Sequence, residues 1–236
     1  MRWPRPSVAA LVFGAACSVA GAAPLAPFRA DYIAARNGSD IGTAQSALTP
    51  VEGETWEFLT HTRGTSGLAA LARLEVLEKS EFRWHGLLPE LIQYDYRQTA
   101  VWSSRERSLR ADAAAGRIVS RDRDRTYSLT FEPGVSDRNA VALAIAAALA
   151  ADVPELRFRV ADKGTVEWHS YRRAGTEALE TPAGRFETLR IERVRENPGR
   201  TTTSWLAPSE GYVPVRILHR ESDGETFELR LVRLQR

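Results

Sequence analysis

The chain has 236 residues, 32 Lys+Arg against 30 Asp+Glu, and a single cysteine, Cys17. Two of the arginines, Arg2 and Arg5, precede an apolar run, Val8–Ala20, and the small-residue sequence Ala20-Gly21-Ala22, which is the layout of a secretory signal peptide cleaved after Ala22. Removing residues 1–22 leaves equal numbers of cations and carboxylates and neither Cys nor Met, which excludes a basic nucleic-acid footprint, disulfides, thiolate metal centres and a cysteine nucleophile.

Lipidation at Cys17 is the competing reading of the leader, but Gly14-Ala15-Ala16 lacks the Leu that normally stands three positions before a lipoprotein cysteine. The apolar run is too short to span a bilayer, and no later stretch is a better transmembrane candidate. The remaining residues, 23–236, carry no repeat of fixed period and no low-complexity linker. They read as one domain large enough to build its own core by burial alone.

From its start the mature chain alternates. Phe28/Ala30/Tyr32 puts apolar groups on one face, and Asn37-Gly38 supplies the positive φ of a tight hairpin. Trp56/Phe58, Leu74/Val76 and Tyr94/Tyr96 continue the pattern with charged residues and Thr between them. Gly64–Ala72 interrupts it and, with glycines at 64 and 67, reads as a loop or a short helix. Arg105–Arg125 holds seven arginines against Glu106, Asp112, Asp122 and Asp124, and reads as a hairpin around Gly116 with its charge on a solvated edge face.

One segment breaks the alternation. Ser136-Asp137-Arg138-Asn139 leads into AVALAIAAALAA and is closed by Pro154, predicting a helix over Asp137–Ala151 with Ser136 or Asp137 as its cap. Val141, Ile145 and Leu149 form a stripe every four residues, and Ala fills nearly every other position. A short helix apolar all round has to be buried on more than one side, as core on the concave side of a curved sheet or as a plug over a cavity.

Alternation resumes in Leu156/Phe158/Val160 and Val166/Trp168, which places His169 on the opposite, solvent-facing side. His219 ends the Val213/Val215/Ile217 face as a rim histidine. Neither His61 nor His85 lies at a metal-ligand spacing from another histidine, so no metal or other cofactor is expected. No nucleophile elbow is present, so no catalytic residue is named. Many short antiparallel strands with one wet face predict a mainly β fold, a barrel or half-barrel with the helix against its concave face.

From Thr181 to Ile217 three further strands follow. TPAGRFETLRI, a Trp205 strand and the Tyr212-x-Pro214-x-Arg216-Ile217 strand resemble the exported bacterial family called domain of unknown function 3108. Tyr32, Gly38, Gly42, Gly67-Leu68 and Glu81-Phe82 fit it more loosely. That resemblance implies a periplasmic, β-rich protein and no catalytic residues. More distantly, the Trp strand followed by a Pro-x-Arg-Ile strand and a Gly hairpin is similar to the half-barrel carriers of outer-membrane lipoproteins, whose helix-covered concave face accepts acyl chains. The expected function is non-catalytic binding of an apolar or amphipathic envelope ligand, such as a lipid or glycolipid, with Val141, Ile145, Leu149 and Trp205 near the cavity. The alternatives are an interaction module with a filled core that works on an envelope protein, and a hydrolase of cell-wall or lipid substrates.

Overall fold

The computed structural model describes residues 23–196 and 199–236. The expected signal peptide, with Cys17 and the Ala22 cleavage position, lies outside them. The alternating segments become strands in chain order: β1 (Phe28–Arg36), β2 (Ser39–Pro50) and β3 (Thr55–Gly64), then a one-turn helix α1 (Gly67–Leu71). The series continues with β4 (Glu75–His85), β5 (Leu88–Ala100), β6 (Ser103–Asp112), β7 (Arg117–Asp122), β8 (Arg125–Thr130) and the two-residue β9 (Ser136–Asp137). Helix α2 (Val141–Ala150) follows, then β10 (Leu156–Asp162), β11 (Thr165–Thr181), β12 (Gly184–Val194), β13 (Thr201–Ala207), β14 (Val213–Arg220) and β15 (Thr226–Gln235). The turns follow the local chemistry: Asn37 and Gly38 sit at φ 49° and 78°, as a two-residue hairpin between right-twisted strands requires.

All fifteen strands belong to one open sheet, ordered β8-β7-β6-β5-β4-β3-β2-β1-β15-β14-β13-β12-β11-β10-β9. Neighbours are antiparallel except the parallel β9/β10 pair, and β1 pairs with β15, so the two halves of the chain meet in the middle of the sheet. The sheet rolls up until its two ends overlap without a ladder between them. Leu91, Tyr94, Leu109 and Ile118 of β5–β7 pack against Ala161 of β10 and Val166 of β11. The Ser120 hydroxyl donates to the Lys163 carbonyl, and a side chain at Gly164 would meet the Tyr127 ring at 2.8 Å. The architecture is a half-barrel closed by side chains rather than by hydrogen-bonded strands.

Pro214 stands inside the sheet, where a proline is normally excluded. It is tolerated because the β14–β15 ladder runs only from Arg216 to Arg220, and β14 bulges beside Pro214, where Val215 is the extra residue between the Trp205–Arg216 and Leu206–Pro214 pairs. Ala183, at the tip of the β11–β12 hairpin, donates its N–H to Leu231 of β15 instead.

Helix α2 lies inside the roll, a turn shorter at its start than its sequence implies. Its N-cap is Ala140 rather than Ser136 or Asp137, and Asp137, within β9, orders the turn before it: its Oδ1 accepts from the Asn139 and Ala140 amides and the Ser80 hydroxyl, each at 2.8 Å. The Asn139 side chain ties the same turn to β3, accepting from Thr60 Oγ1 at 2.8 Å and donating to the Phe58 carbonyl at 3.2 Å. The stripe Val141, Ile145, Leu149 then packs on Leu156, Phe158, Val160, Ile191 and Leu206. Burying each of those side chains contributes roughly 1.5–3 kcal/mol, which fixes the helix against β10, β12 and β13.

Candidate internal cavity and its polar end

On its other side the helix presents alanines, and they face alanines. Ala142, Ala146 and Ala150 of α2 look toward Ala34 and Ala35 of β1 and Ala44 of β2. Two surfaces of small side chains cannot fill the space between them, and a cavity of about 860 Å³ remains. Ligand pockets typically fall between about 300 and 1,000 Å³. Tyr32, Phe58, Leu143, Val213, Ile217 and Leu229 complete a mostly apolar lining. Side chains therefore do not fill the interior completely.

None of the four residues expected at a pocket lines this one. Val141, Ile145 and Leu149 are spent on the tight side of the helix. Trp205 alternates with Ser204, the register partner of the cavity-lining Ile217, and so turns to the opposite face of the sheet. There its ring lies 4.6 Å from the Arg216 guanidinium carbon and its indole N–H donates to Glu177 at 2.7 Å. The two faces were confused because the bulkiest apolar groups were read as cavity formers, whereas bulk fills space. The runs of alanine in β1, β2 and α2 were the available signal.

Polar groups also line the cavity, Gln45, Ser46, Glu228 and Arg236 among them, and two clusters of them mark its ends. Near the helix start stand Glu78, Tyr96, Gln98, Arg138 and Asn139; near the end of β14 stand His219 and Glu221. Arg138 projects into the cavity from the turn before α2, with Nε 3.4 Å from Glu78 Oε2. Burial disfavours its charge, but the surrounding acidic groups, Glu78 foremost, more than reverse this and hold its pKa above the ordinary value. Glu78 Oε2 also accepts from the Tyr94 hydroxyl at 2.6 Å. Burial first, then Glu78, pushes the Tyr94 phenol well up, so it stays a neutral donor. Tyr96 donates to Gln98 at 2.6 Å, with the Arg107 guanidinium carbon 4.9 Å from its ring centroid.

Two expectations about charge are corrected here. His169 does not face water: it is paired in register with Phe158, is 9 % exposed, and its Nδ1 is buried without a partner. Trp168 takes the outer face instead, under the guanidinium of Arg157 at 4.5 Å. The Arg105–Arg125 hairpin, β6 and β7, is not the edge of the sheet, because β8 pairs outside β7; within it Arg107 turns inward, is 8 % exposed and binds Asp122 at 2.9 Å. Burial of Asp122 would raise its carboxyl, yet Arg107 and Arg105 together hold it below the usual range. Neither the alternation of β10 and β11 nor the charge of the Arg105–Arg125 stretch says which face is the inner one.

His219 does sit at the rim, with Nδ1 2.9 Å from Thr202 Oγ1 and Nε2 2.8 Å from Glu221. Around this end α1 and the β5–β6 turn, joined by the Val101 amide on the Ala72 carbonyl at 2.8 Å, hold out Leu68, Leu71, Val101 and Trp102. These four are between 63 % and 80 % exposed, beside the cavity-lining Ile41 and Leu74. Among the described residues no group of three or more His, Cys, Asp or Glu is gathered as a metal site, and no helix is long and apolar enough to cross a membrane.

Comparison with known proteins adds a family and a fold. The family model "Protein of unknown function (DUF3108)" matches residues 28–232. No curated protein matches the sequence. Among solved structures, the chain is similar to the β-barrel-like DUF1849 protein of Brucella abortus at 13 % identity and a TM-score of 0.53, covering 89 % of this chain and 97 % of that one. A chain of the MucA/MucB complex of Pseudomonas aeruginosa matches at 13 % identity with a TM-score of 0.34, over 89 % of this chain and 51 % of that one. The first likeness extends to the barrel-like fold.

Proposed function

The chain belongs to the DUF3108 family of proteins of unknown function, and we propose that it is a non-catalytic, exported binding protein that holds an apolar or amphipathic envelope ligand in its interior. The observation that carries this reading is the void between the alanine face of α2 and the alanines of β1 and β2, walled by Phe58, Leu143, Ile217 and Leu229. A void of that size lined by side chains of that kind forfeits packing contacts unless something fills it. The two polar stretches suit a ligand with one wet end, such as a lipid or a lipid-linked sugar. Residues 1–22 act as a signal peptide in this reading, residues 23–236 work as one domain, and the periplasm is the compartment. The ligand passes the end where Leu68, Leu71, Val101 and Trp102 stand exposed.

Native mass spectrometry of the protein purified from its own envelope tests this. The expected result is a population heavier than the polypeptide by the mass of a lipid or glycolipid, which organic extraction removes. A protein that carries no adduct and that also fails to take up a hydrophobic fluorescent probe would refute it.

A further inference from the structure

The interior holds more cations at one end than its carboxylates engage. Arg193 of β12 pairs in register with Tyr171, whose ring centroid lies 6.1 Å from that of Phe158, so Arg193 stands on the inner face. Arg195, two residues on, donates from Nη2 to Thr202 Oγ1 at 3.2 Å, and Thr202 holds the cavity-lining His219. Arg138 lines the cavity from the turn between β9 and α2. The neighbouring carboxylates are already engaged: Glu78 by Arg138 and Tyr94, Glu221 by His219 and by Arg200 at 2.5 Å.

Arg193 makes no side-chain hydrogen bond or ion pair with the described residues, and the Nε atoms of both Arg193 and Arg195 are buried without a partner. The imidazole of His169 reports on the same spot. Burial, then Arg193, Arg195 and Arg138, hold its pKa down to about 4. His169, two residues before Tyr171 on β11, shares the inner face on which the register places Arg193, and its Nδ1 is buried without a partner. Leaving cations side by side and partly desolvated costs stability, and a planar oxyanion is the group that guanidinium forks satisfy best.

We propose that Arg193 and Arg195, which adjoin the cavity through Thr202 and His219, form with the cavity-lining Arg138 an oxyanion site that takes the carboxylate or phosphate head of an amphiphile whose chain occupies the cavity. This rests on the binding reading given above. The ligand is then an anionic lipid rather than a neutral one, and it is oriented head toward β12 with its chain along the alanine face of α2.

The test compares palmitate, hexadecanol and inorganic phosphate in displacing a fluorescent fatty acid, with protein expressed from the full chain. Arg193→Gln/Arg195→Gln is expected to weaken palmitate roughly 10- to 100-fold while hexadecanol binding changes less than two-fold, which also shows that the variant is folded. Arg193→Lys/Arg195→Lys, which keeps the charge and loses the fork, is expected to recover part of the difference. Equal losses for palmitate and hexadecanol, or no loss for either, overturn the anion site and leave the cavity reading standing. Failure of the unaltered protein to bind either chain overturns both. Phosphate that competes only at far higher concentration than palmitate supports a head group tethered to its chain. Phosphate that competes as well as palmitate overturns the amphiphile in favour of a free anion.

Discussion

The buried Asp137 governs how firmly α2 is held against the cavity, and replacing it by Asn separates its charge from its hydrogen bonds. Its Oδ1 accepts three bonds at 2.8 Å, while Oδ2 is buried with no partner. Burial is the dominant influence and raises its pKa from 3.8 to about 6, against the lowering effect of the Ala140, Ser80 and Asn139 donors. The folded protein therefore binds more protons than the unfolded chain between those two values, so this carboxyl makes stability fall as pH rises through the window. At about 1.4 kcal/mol for each pH unit, the charged carboxylate costs on the order of 3 kcal/mol at neutral pH.

Asn keeps an oxygen for the same three donors and carries no charge. Asp137→Asn should match the wild type near about pH 4 and exceed it by up to about 3 kcal/mol near about pH 7. Asp137→Ala, in contrast, removes the acceptor for a hydroxyl and two turn amides and should lose about 2–4 kcal/mol near about pH 4, a loss that shrinks by about 3 kcal/mol near about pH 7 because the buried charge goes with the acceptor. Urea unfolding followed by tryptophan fluorescence across that range reads all three. Taking the difference between variant and wild type cancels the other titrating groups. If that difference does not change with pH, the charge is not buried as described and the argument fails.

Three other outcomes bear on the cavity and its surroundings. Ala146→Phe should put a ring into the void, lowering the affinity for a long-chain probe by roughly ten-fold or more in a fluorescence titration, while the cost of overpacking stays within about 1–3 kcal/mol. Trp205→Phe should lose about 1 kcal/mol in urea unfolding, through the Glu177 bond, and leave probe affinity unchanged. His169, held down to about 4 by burial and then by the arginines around it, should remain neutral in a histidine NMR titration until well below the ordinary 6.5. Because the unfolded chain takes up that proton first, His169 contributes stability above 6.5 that is lost as pH falls towards 4, and removing Arg193 and Arg195 should move its midpoint upward.

The strands were legible because alternation is a local signal. Phe28, Ala30 and Tyr32 are buried on one face, and Thr181–Ile217 yields the three strands its turns imply. Alternation fixes two faces and leaves open which of them the roll encloses. At β11 the decision falls to the β10 register, which sets His169 beside Phe158 and turns Trp168 out under Arg157 and Arg159. At β6 it falls to Asp122 and Asp162, which lie 2.9 and 3.7 Å from the Arg107 guanidinium and make its burial tolerable. Neither the β10 register nor the reach of Arg107 to Asp122 and Asp162 shows in the alternation of one strand, so a reading of single segments had no access to them.

The cavity was illegible for a different reason, and that reason suggests how to look for others like it. Large side chains settle where neighbours can be brought into contact, so the bulky stripe of an apolar helix marks its tightly packed side. On α2 that stripe is Val141, Ile145 and Leu149, and it meets Leu156, Phe158 and Ile191. The small residues are left with whatever faces them, and space survives only where the facing strand is small-residued too. Ala142, Ala146 and Ala150 against Ala34, Ala35 and Ala44 meet that condition. A helix apolar on every side inside a curved sheet therefore points to a pocket along its alanines, provided the sheet offers alanines in return.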